Sequence, residues 1–344
     1  LMKPFLLLLT LSVPLLAASQ KSDFRALDQI LSHYEKKNKT MGSIAFSENG
    51  VVTYARAWGY SNLKLEKAAD TLTRYRIGSI SKMITAAMIL QFVAEKKLQL
   101  DQKLSQFFPR WPNANQISIE DLLRHQSGLY NFGKNGFVKH RSPNPKTRED
   151  MVDLFENTPI SFEPGEMTDY NNANYVVLSL IIEKVDQSSF SQSLKNRITA
   201  PLSLQNTHAG GFIDTGQNEA FSYFWKIKWR QNEDHYSFGL LGAGALASTP
   251  GDLNQFLHAL FHQELMPPAE IQQMQDIQND MGLGLYAYPF ADLTGYGHSG
   301  TIDSFESFSA YFPEKDLCVS IFLNANRKDF NKILIDCLGA YLSY

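Results

Sequence analysis

The sequence predicts an α/β fold of the α+β kind, an antiparallel sheet flanked by helices with a helical region inserted at roughly residues 76–200. Three observations predict it. Two β-prone runs, 43–46 and 51–57, meet at Asn49-Gly50, a dipeptide that favours a two-residue hairpin turn. Residues 79–94 are apolar almost all round (Ile80, Met83, Ile84, Met88, Ile89, Leu90, Phe92, Val93), which marks a helix buried on every side. Strand-like runs then return only near the C-terminus, at 282–288, 304–312 and 317–323, and an amphipathic segment at 330–342 closes the chain. Strands at both ends with helices between them predict one sheet that both ends complete.

The remaining elements follow from pattern and punctuation. Residues 23–37 place Phe24, Leu27, Ile30, Leu31 and Tyr34 on one helical face. Ser118-Ile-Glu-Asp121 is a helix start. Residues 149–157 and 172–186 read as helices, with a further one over 187–197. Before all of these, Lys3, an apolar run from Phe5 to Leu16 and the small residues Ala17, Ala18 and Ser19 form the pattern of a secretory signal peptide over 1–19. The run is short for a membrane span. The expected mature unit is therefore a single domain over 20–344, exported to a periplasm or the exterior, with no stable membrane anchor after the signal is removed.

Composition excludes several classes. At 44% hydrophobic and 19% charged residues, the chain can bury a full core. The formal charge of −3 becomes 31 − 35 = −4 without Lys3, which argues against a general nucleic-acid binder. No Cys/His cluster is read as having metal-ligand spacing, and HExxH is absent. Gly242-Ala-Gly-Ala-Leu-Ala247 matches a dinucleotide-binding pattern. The helix it must open starts later, however, at Thr249-Pro250 with Asp252 facing back, so nucleotide binding is rejected.

The chemistry-bearing segment is Arg76-Ile-Gly-Ser-Ile-Ser-Lys82, at the mouth of the buried helix. Ser79 and Lys82 are three apart and share a helix face. A serine needs a base to become a nucleophile. A lysine kept from water near a helix N-terminus is easier to deprotonate, and the Ser79 N–H points to a place for a developing oxyanion. Ser-x-x-Lys occurs a second time, at Ser61-Asn-Leu-Lys64, in a polar stretch read as loop with no apolar helix after it.

Further motifs follow in order: Tyr170-Asn-Asn172, then His298-Ser-Gly300. Between and around them stand Leu122-Leu-Arg-His-Gln-Ser-Gly-Leu129, Glu163-Pro-Gly165 and Ala245-Leu-Ala-Ser-Thr-Pro250. Taken singly, Tyr170 reads as an ordinary aromatic at a helix start and His298 as a turn histidine. Taken together, over roughly 25–342, the chain resembles the serine β-lactamase and penicillin-binding protein superfamily, in the branch of class C β-lactamases, D,D-peptidases and related esterases. That resemblance implies a β-lactamase/transpeptidase-like fold with a cleft between the sheet and a helical subdomain. It implies a catalytic set of Ser79, Lys82 and Tyr170. Asn172 would hold Lys82 and touch the substrate, His298 and Gly300 would line the opposite wall on a strand, and the Thr301 N–H would be a second oxyanion donor. The implied reaction is acyl transfer to Ser79 followed by hydrolysis, with no metal or organic cofactor. The substrate would be a small molecule or peptide, cell-wall derived among the options.

Within that class the reading is a D,D-peptidase/esterase-like serine hydrolase, with β-lactamase as the alternative and a non-catalytic binding module on the same fold as the rival from another class. Departures favour the first. Many relatives carry Lys where this chain has His298, a shorter and mostly neutral residue, so carboxylate capture should weaken. Thr301, Ile302, Asp303 and Ser304 replace Gly-rich backbone, adding bulk and, at Asp303, a negative charge to the cleft edge. Other histidines are set aside. His125 is assigned to backbone hydrogen bonding, His208-Ala-Gly210 is discounted because it follows a helix-and-turn segment, and Lys134-Asn-Gly136 precedes Tyr170 and so is out of order. Two basic stretches, 134–148 and 225–230, read either as solvated surface or as a rim for anionic substrates. Trp225-Lys-Ile-Lys-Trp-Arg230 suits a strand with one wet face. Cys318 in a strand and Cys337 on the final helix would meet in a disulfide only if strand alternation turned Cys318 toward that helix.

Overall fold

The computed structural model describes residues 24–36, 39–131, 147–234 and 237–343. The predicted signal segment 1–19, Lys134-Asn-Gly136 and nearly all of the basic stretch 134–148 lie outside the described residues. In chain order, helix α1 (Arg25–Lys36) precedes strands β1 (Thr40–Glu48), β2 (Val51–Trp58), β3 (Tyr60–Asn62), β4 (Lys67–Ala68) and β5 (Tyr75–Arg76). A 3-10 turn, Gly78–Ile80, leads into α2 (Ser81–Ala94). The helical block continues with α3 (Ile119–Leu123), α4 (Arg148–Glu156), α5 (Asn172–Asp186) and α6 (Phe190–Leu194). There follow β6 (His208–Ala209), β7 (Tyr223–Trp225), β8 (Trp229–Gln231), β9 (Leu246–Ser248), α7 (Pro250–Phe261) and α8 (Pro268–Gln275). The chain ends with β10 (Tyr286–Phe290), β11 (Leu293–Ile302), β12 (Phe305–Phe312), β13 (Leu317–Asn326) and α9 (Phe330–Leu342).

The main sheet runs β10-β11-β12-β13-β1-β2, antiparallel along that path, with the β7–β8 hairpin attached to β13. Thus β13 from the C-terminal end pairs with β1 from the N-terminal end, as predicted. Asn49 and Gly50, both at positive φ (50° and 74°), turn the β1–β2 hairpin. Apolar residues cover both faces of the sheet. On one face, α1 and α9 pack over Ile44, Phe46, Val319, Ile321 and Leu323. On the other, α2, α5 and α7 form a larger core with Phe305, Tyr311, Cys318 and Phe322. In α2 only Gln91, Val93 and Ala94 are not buried, the arrangement predicted from its apolar composition.

The sheet decides the cysteine question. Leu317, Val319, Ile321 and Leu323 face α9, so Cys318, one residue out of phase, faces the helical core. Cys337 on α9 belongs to the opposite face, and both thiols are free and buried. Burial pushes both thiols up, that of Cys337 to about 12.

Several local expectations need correction. Strand β10 begins at Tyr286, not at residue 282: Gly284 takes φ +80° and ends up against α2. Ser61 is not in a loop but in the short strand β3, fully buried, with Oγ donating to the Lys67 carbonyl at 3.3 Å. His208 opens the two-residue strand β6, and its Nε2 lies 2.7 Å from Glu219 Oε1. Residues 225–230 form a tight hairpin, not one strand. Lys226 and Lys228 exchange backbone hydrogen bonds around Ile227.

Candidate active site

Ser79 lies in the 3-10 turn at the mouth of α2, wedged against strand β11. Two glycines allow the approach. A Cβ on Gly300 would stand 2.1 Å from the Ile77 carbonyl oxygen and 3.0 Å from the Ser79 nitrogen. A Cβ on Gly78, itself at φ +51°, would stand 2.9 Å from the Thr301 nitrogen. The backbones of 77–79 and 300–301 therefore touch with no side chain between them. Ser307 Oγ on β12 fastens the junction by donating to the Ile77 carbonyl at 2.8 Å. The Ile77 N–H is bound by the Leu246 carbonyl at 3.0 Å.

Lys82, one turn into α2, is completely buried. Its Nζ donates to Asn172 Oδ1 at 2.8 Å and to the Ala243 carbonyl at 2.7 Å, and lies 3.1 Å from Ser79 Oγ. Burial depresses its pKa well below the usual lysine range. A neutral amine has two N–H bonds and one lone pair. Two carbonyl acceptors occupy the N–H bonds, so the lone pair is left for the Ser79 hydroxyl. Ala243 was not singled out in sequence, because any residue type supplies a carbonyl. The signal lay in the neighbouring glycine: a Cβ on Gly242 would meet Thr85 Oγ1 at 2.0 Å and Ser179 Oγ at 2.7 Å, so only glycine threads this segment between α2 and α5.

Tyr170 stands just before α5, and its phenol donates to Ser79 Oγ at 2.7 Å. Burial raises its pKa, so the group stays a phenol. Its position is set from behind. Asn131 Nδ2 donates to the Tyr170 carbonyl at 3.0 Å. Asn171 caps α5 through its side chain, and its own N–H donates to His125 Nδ1 at 3.0 Å. His125 is thus a backbone-bonding residue, as the sequence suggested. It is held neutral by burial and by the nearby Lys82, with its ring 4.5 Å from that of Tyr170.

His298 and Gly300 lie on β11, and His298 is buried. Its Nδ1 donates to the Ser299 carbonyl at 2.5 Å, which leaves Nε2 as the unprotonated nitrogen. Burial is the largest cause that pushes its pKa down to about 3. His298 is therefore neutral near pH 7. Tyr286 packs against its ring at 5.0 Å and was missed in sequence. Asp303 differs from expectation: it is buried, not an open charge at the cleft edge. Arg76 Nη1 lies 3.5 Å from its Oδ2, while Nη2 of the same arginine binds Asp234 at 2.7 Å. Ser222 Oγ and Asn232 Nδ2, at the base of the β7–β8 hairpin, both donate to the Asp303 carbonyl.

The structure brings Ser79, Lys82, Tyr170 and Asn172 into one hydrogen-bonded set, with His298, Gly300 and Thr301 on the strand opposite. The arrangement can activate a serine hydroxyl, supply a proton from a phenol and present two backbone N–H groups across a narrow gap.

Comparison with known proteins gives the family and the fold. The model of the family described as Beta-lactamase matches residues 27–335. A Bacillus subtilis (strain 168) protein assigned as a penicillin-binding protein is 27% identical over 303 residues, covering 86% of this chain and 74% of its own. A Staphylococcus aureus teichoic acid D-alanine hydrolase is 25% identical over 318 residues, covering 89% and 75%. Among solved structures, D-amino acid amidase from Ochrobactrum anthropi SV3 superposes with a TM-score of 0.81 at 24% identity, covering 93% of this chain and 99% of that one, and so shares the fold.

Proposed function

The chain belongs to the beta-lactamase family of serine hydrolases, which act through an acyl-enzyme, and we propose that this member cleaves D-aminoacyl esters and amides with Ser79 as nucleophile, Lys82 as base and Tyr170 as acid. The observation that carries the assignment is the position of Ser79 Oγ, between a phenol at 2.7 Å and an amine at 3.1 Å. The two neighbours are displaced in opposite directions: Lys82 toward the neutral amine, Tyr170 toward the protonated phenol. Such a pair divides into base and acid.

The steps follow from that division. Lys82 Nζ takes the Ser79 proton as Oγ attacks the substrate carbonyl carbon. The new oxyanion sits between the N–H groups of Ser79 and Thr301, whose close approach rests on Gly78 and Gly300. Asn172 and the Ala243 carbonyl orient the amine and favour the ammonium as it forms. Tyr170 gives its proton to the leaving group and recovers one from Lys82. Water then repeats the sequence on the acyl-enzyme.

Substrate choice rests on His298. A buried neutral imidazole offers no charge to a substrate carboxylate. Esters and amides without a free carboxylate on the leaving side are therefore favoured over D-Ala-D-Ala peptides and over β-lactams. The S. aureus relative, whose name specifies hydrolysis of D-alanine from teichoic acid, supports the D-alanyl ester class. Export, as the segment 1–19 suggests, would put the enzyme among such substrates.

The test is a substrate panel of D-alanyl and L-alanyl methyl esters, a D-Ala-D-Ala peptide and nitrocefin, run beside fluorophosphonate labelling. The expected result is preference for the D-ester and a single adduct that is absent in Ser79→Ala. An adduct surviving in Ser79→Ala, or nitrocefin as the best substrate, overturns the reading.

A further inference from the structure

Two histidines sit four residues apart, at 258 and 262, on helix α7, at the end of strand β12 remote from Gly300 and Thr301. Residues at that spacing share a helix face. Their rings stack at 4.0 Å between centroids, 19° from parallel. Across from them, the turn that joins β12 to β13 delivers Asp316, at φ +45°. The Asp316 carbonyl accepts the Asn49 N–H at 3.1 Å, which ties this turn to that of the β1–β2 hairpin. One donor atom from each of His258, His262 and Asp316 lies within 4.8 Å of the other two.

We propose that these three side chains form a binding site for a divalent transition metal, with zinc the best fit. Two imidazoles and one carboxylate are a nitrogen-oxygen set suited to Zn2+, Ni2+ or Cu2+ and poor for Mg2+ or Ca2+. Three protein ligands leave a fourth tetrahedral position for water. Ligands each about 2.1 Å from zinc stand roughly 3.4 Å apart, and His262 Nε2 already lies 2.9 Å from Asp316 Oδ1. All three side chains are partly exposed, which leaves them room to adjust.

Two more features fit a cation. His258 lies in the last turn of α7 and His262 is its C-cap, where the helix dipole is negative. Glu264 Oε1 lies 3.9 Å from His258 Nδ1 and adds a negative charge beside the cluster. The bound ion would join the end of α7 to the β12–β13 turn and, through Asn49, to the β1–β2 hairpin. The sequence reading, which found no metal-ligand spacing, is corrected: His258 and His262 stand four apart on one helix face, and only the third ligand, 54 residues after His262, was out of reach of local spacing.

The experiment is calorimetric titration of Zn2+ into tag-free, metal-stripped, full-length protein, with thermal unfolding followed in parallel. The expected result is one saturable site, with affinity reduced at least tenfold by His262→Ala and, separately, by Asp316→Asn, which keeps a residue tolerant of positive φ. At free Zn2+ about 100-fold above Kd, the melting midpoint should rise by a few degrees in the wild type and not in the variants. Retained ester hydrolysis shows that both variants are folded. Absence of saturable binding, or equal binding by both variants, overturns the proposal.

Discussion

Gly300→Ala tests the proposed oxyanion site without touching any side chain of the hydrogen-bonded set. A new Cβ would stand 2.1 Å from the Ile77 carbonyl oxygen and 2.5 Å from Ser307 Oγ. A carbon–oxygen contact needs more than 3 Å, so β11 and the Ser79 turn must part by about 1 Å, since both contacts lie in packed core. Oxyanion donors work within 2.7–3.1 Å of the charge they meet. A shift of that size removes the Thr301 N–H from range, and loss of one donor typically costs about 10²–10³ in rate. Because the oxyanion exists only in the transition state, kcat and kcat/KM should fall together while KM stays put. The overpacking itself should cost on the order of 1–3 kcal/mol of stability. Gly251→Ala is the control. It lies in α7, and a Cβ there meets nothing within 4 Å, so activity should hold and stability stay level or rise slightly. The assay is steady-state hydrolysis of D-alanyl methyl ester beside thermal unfolding. A folded Gly300→Ala protein with kcat within about threefold of wild type refutes the oxyanion assignment.

Further predictions bear on charge and covalent state. Lys82→Arg keeps N–H donors but gives up the base, and should lower acylation by about 10²–10⁴. In the wild type, kcat/KM should rise with pH through a limb well below the ordinary lysine range, because burial depresses Lys82. His298 has a folded pKa near 3, below its unfolded value, so the unfolded chain binds the extra proton. Stability should then fall as pH drops from about 6.5 toward 3, by on the order of a few kcal/mol, read as a falling urea midpoint. His298→Asn should flatten that fall, and an unchanged slope would remove His298 as its cause. Cys318 and Cys337 should both be alkylated in denatured, unreduced protein, since they lie on opposite faces of the sheet. One or no modified cysteine would contradict that placement.

The order of the elements, the buried α2 and the short-range pairs were legible in the sequence. Asn49-Gly50 states its own turn, an all-apolar stretch states its own burial, and Ser79 and Lys82 are neighbours by helical spacing alone. Tyr170, Asn172, His298 and Gly300 were reachable because residue type and order repeat a family pattern. What the chain could not state were contacts made by groups that every residue possesses, and the phase of one element against another. The Ala243 carbonyl on Lys82 is backbone chemistry, without a side-chain signature. Asp303 read as an open charge until the fold carried Arg76 to it from the far side of the helical block. Cys318 could face either way until the register of β13 against α9 was set, and His258 and His262 lacked a third ligand until a turn far along the chain supplied Asp316. Local spacing is written into a polypeptide through its fixed backbone geometry. Which distant groups meet is decided only when the core packs.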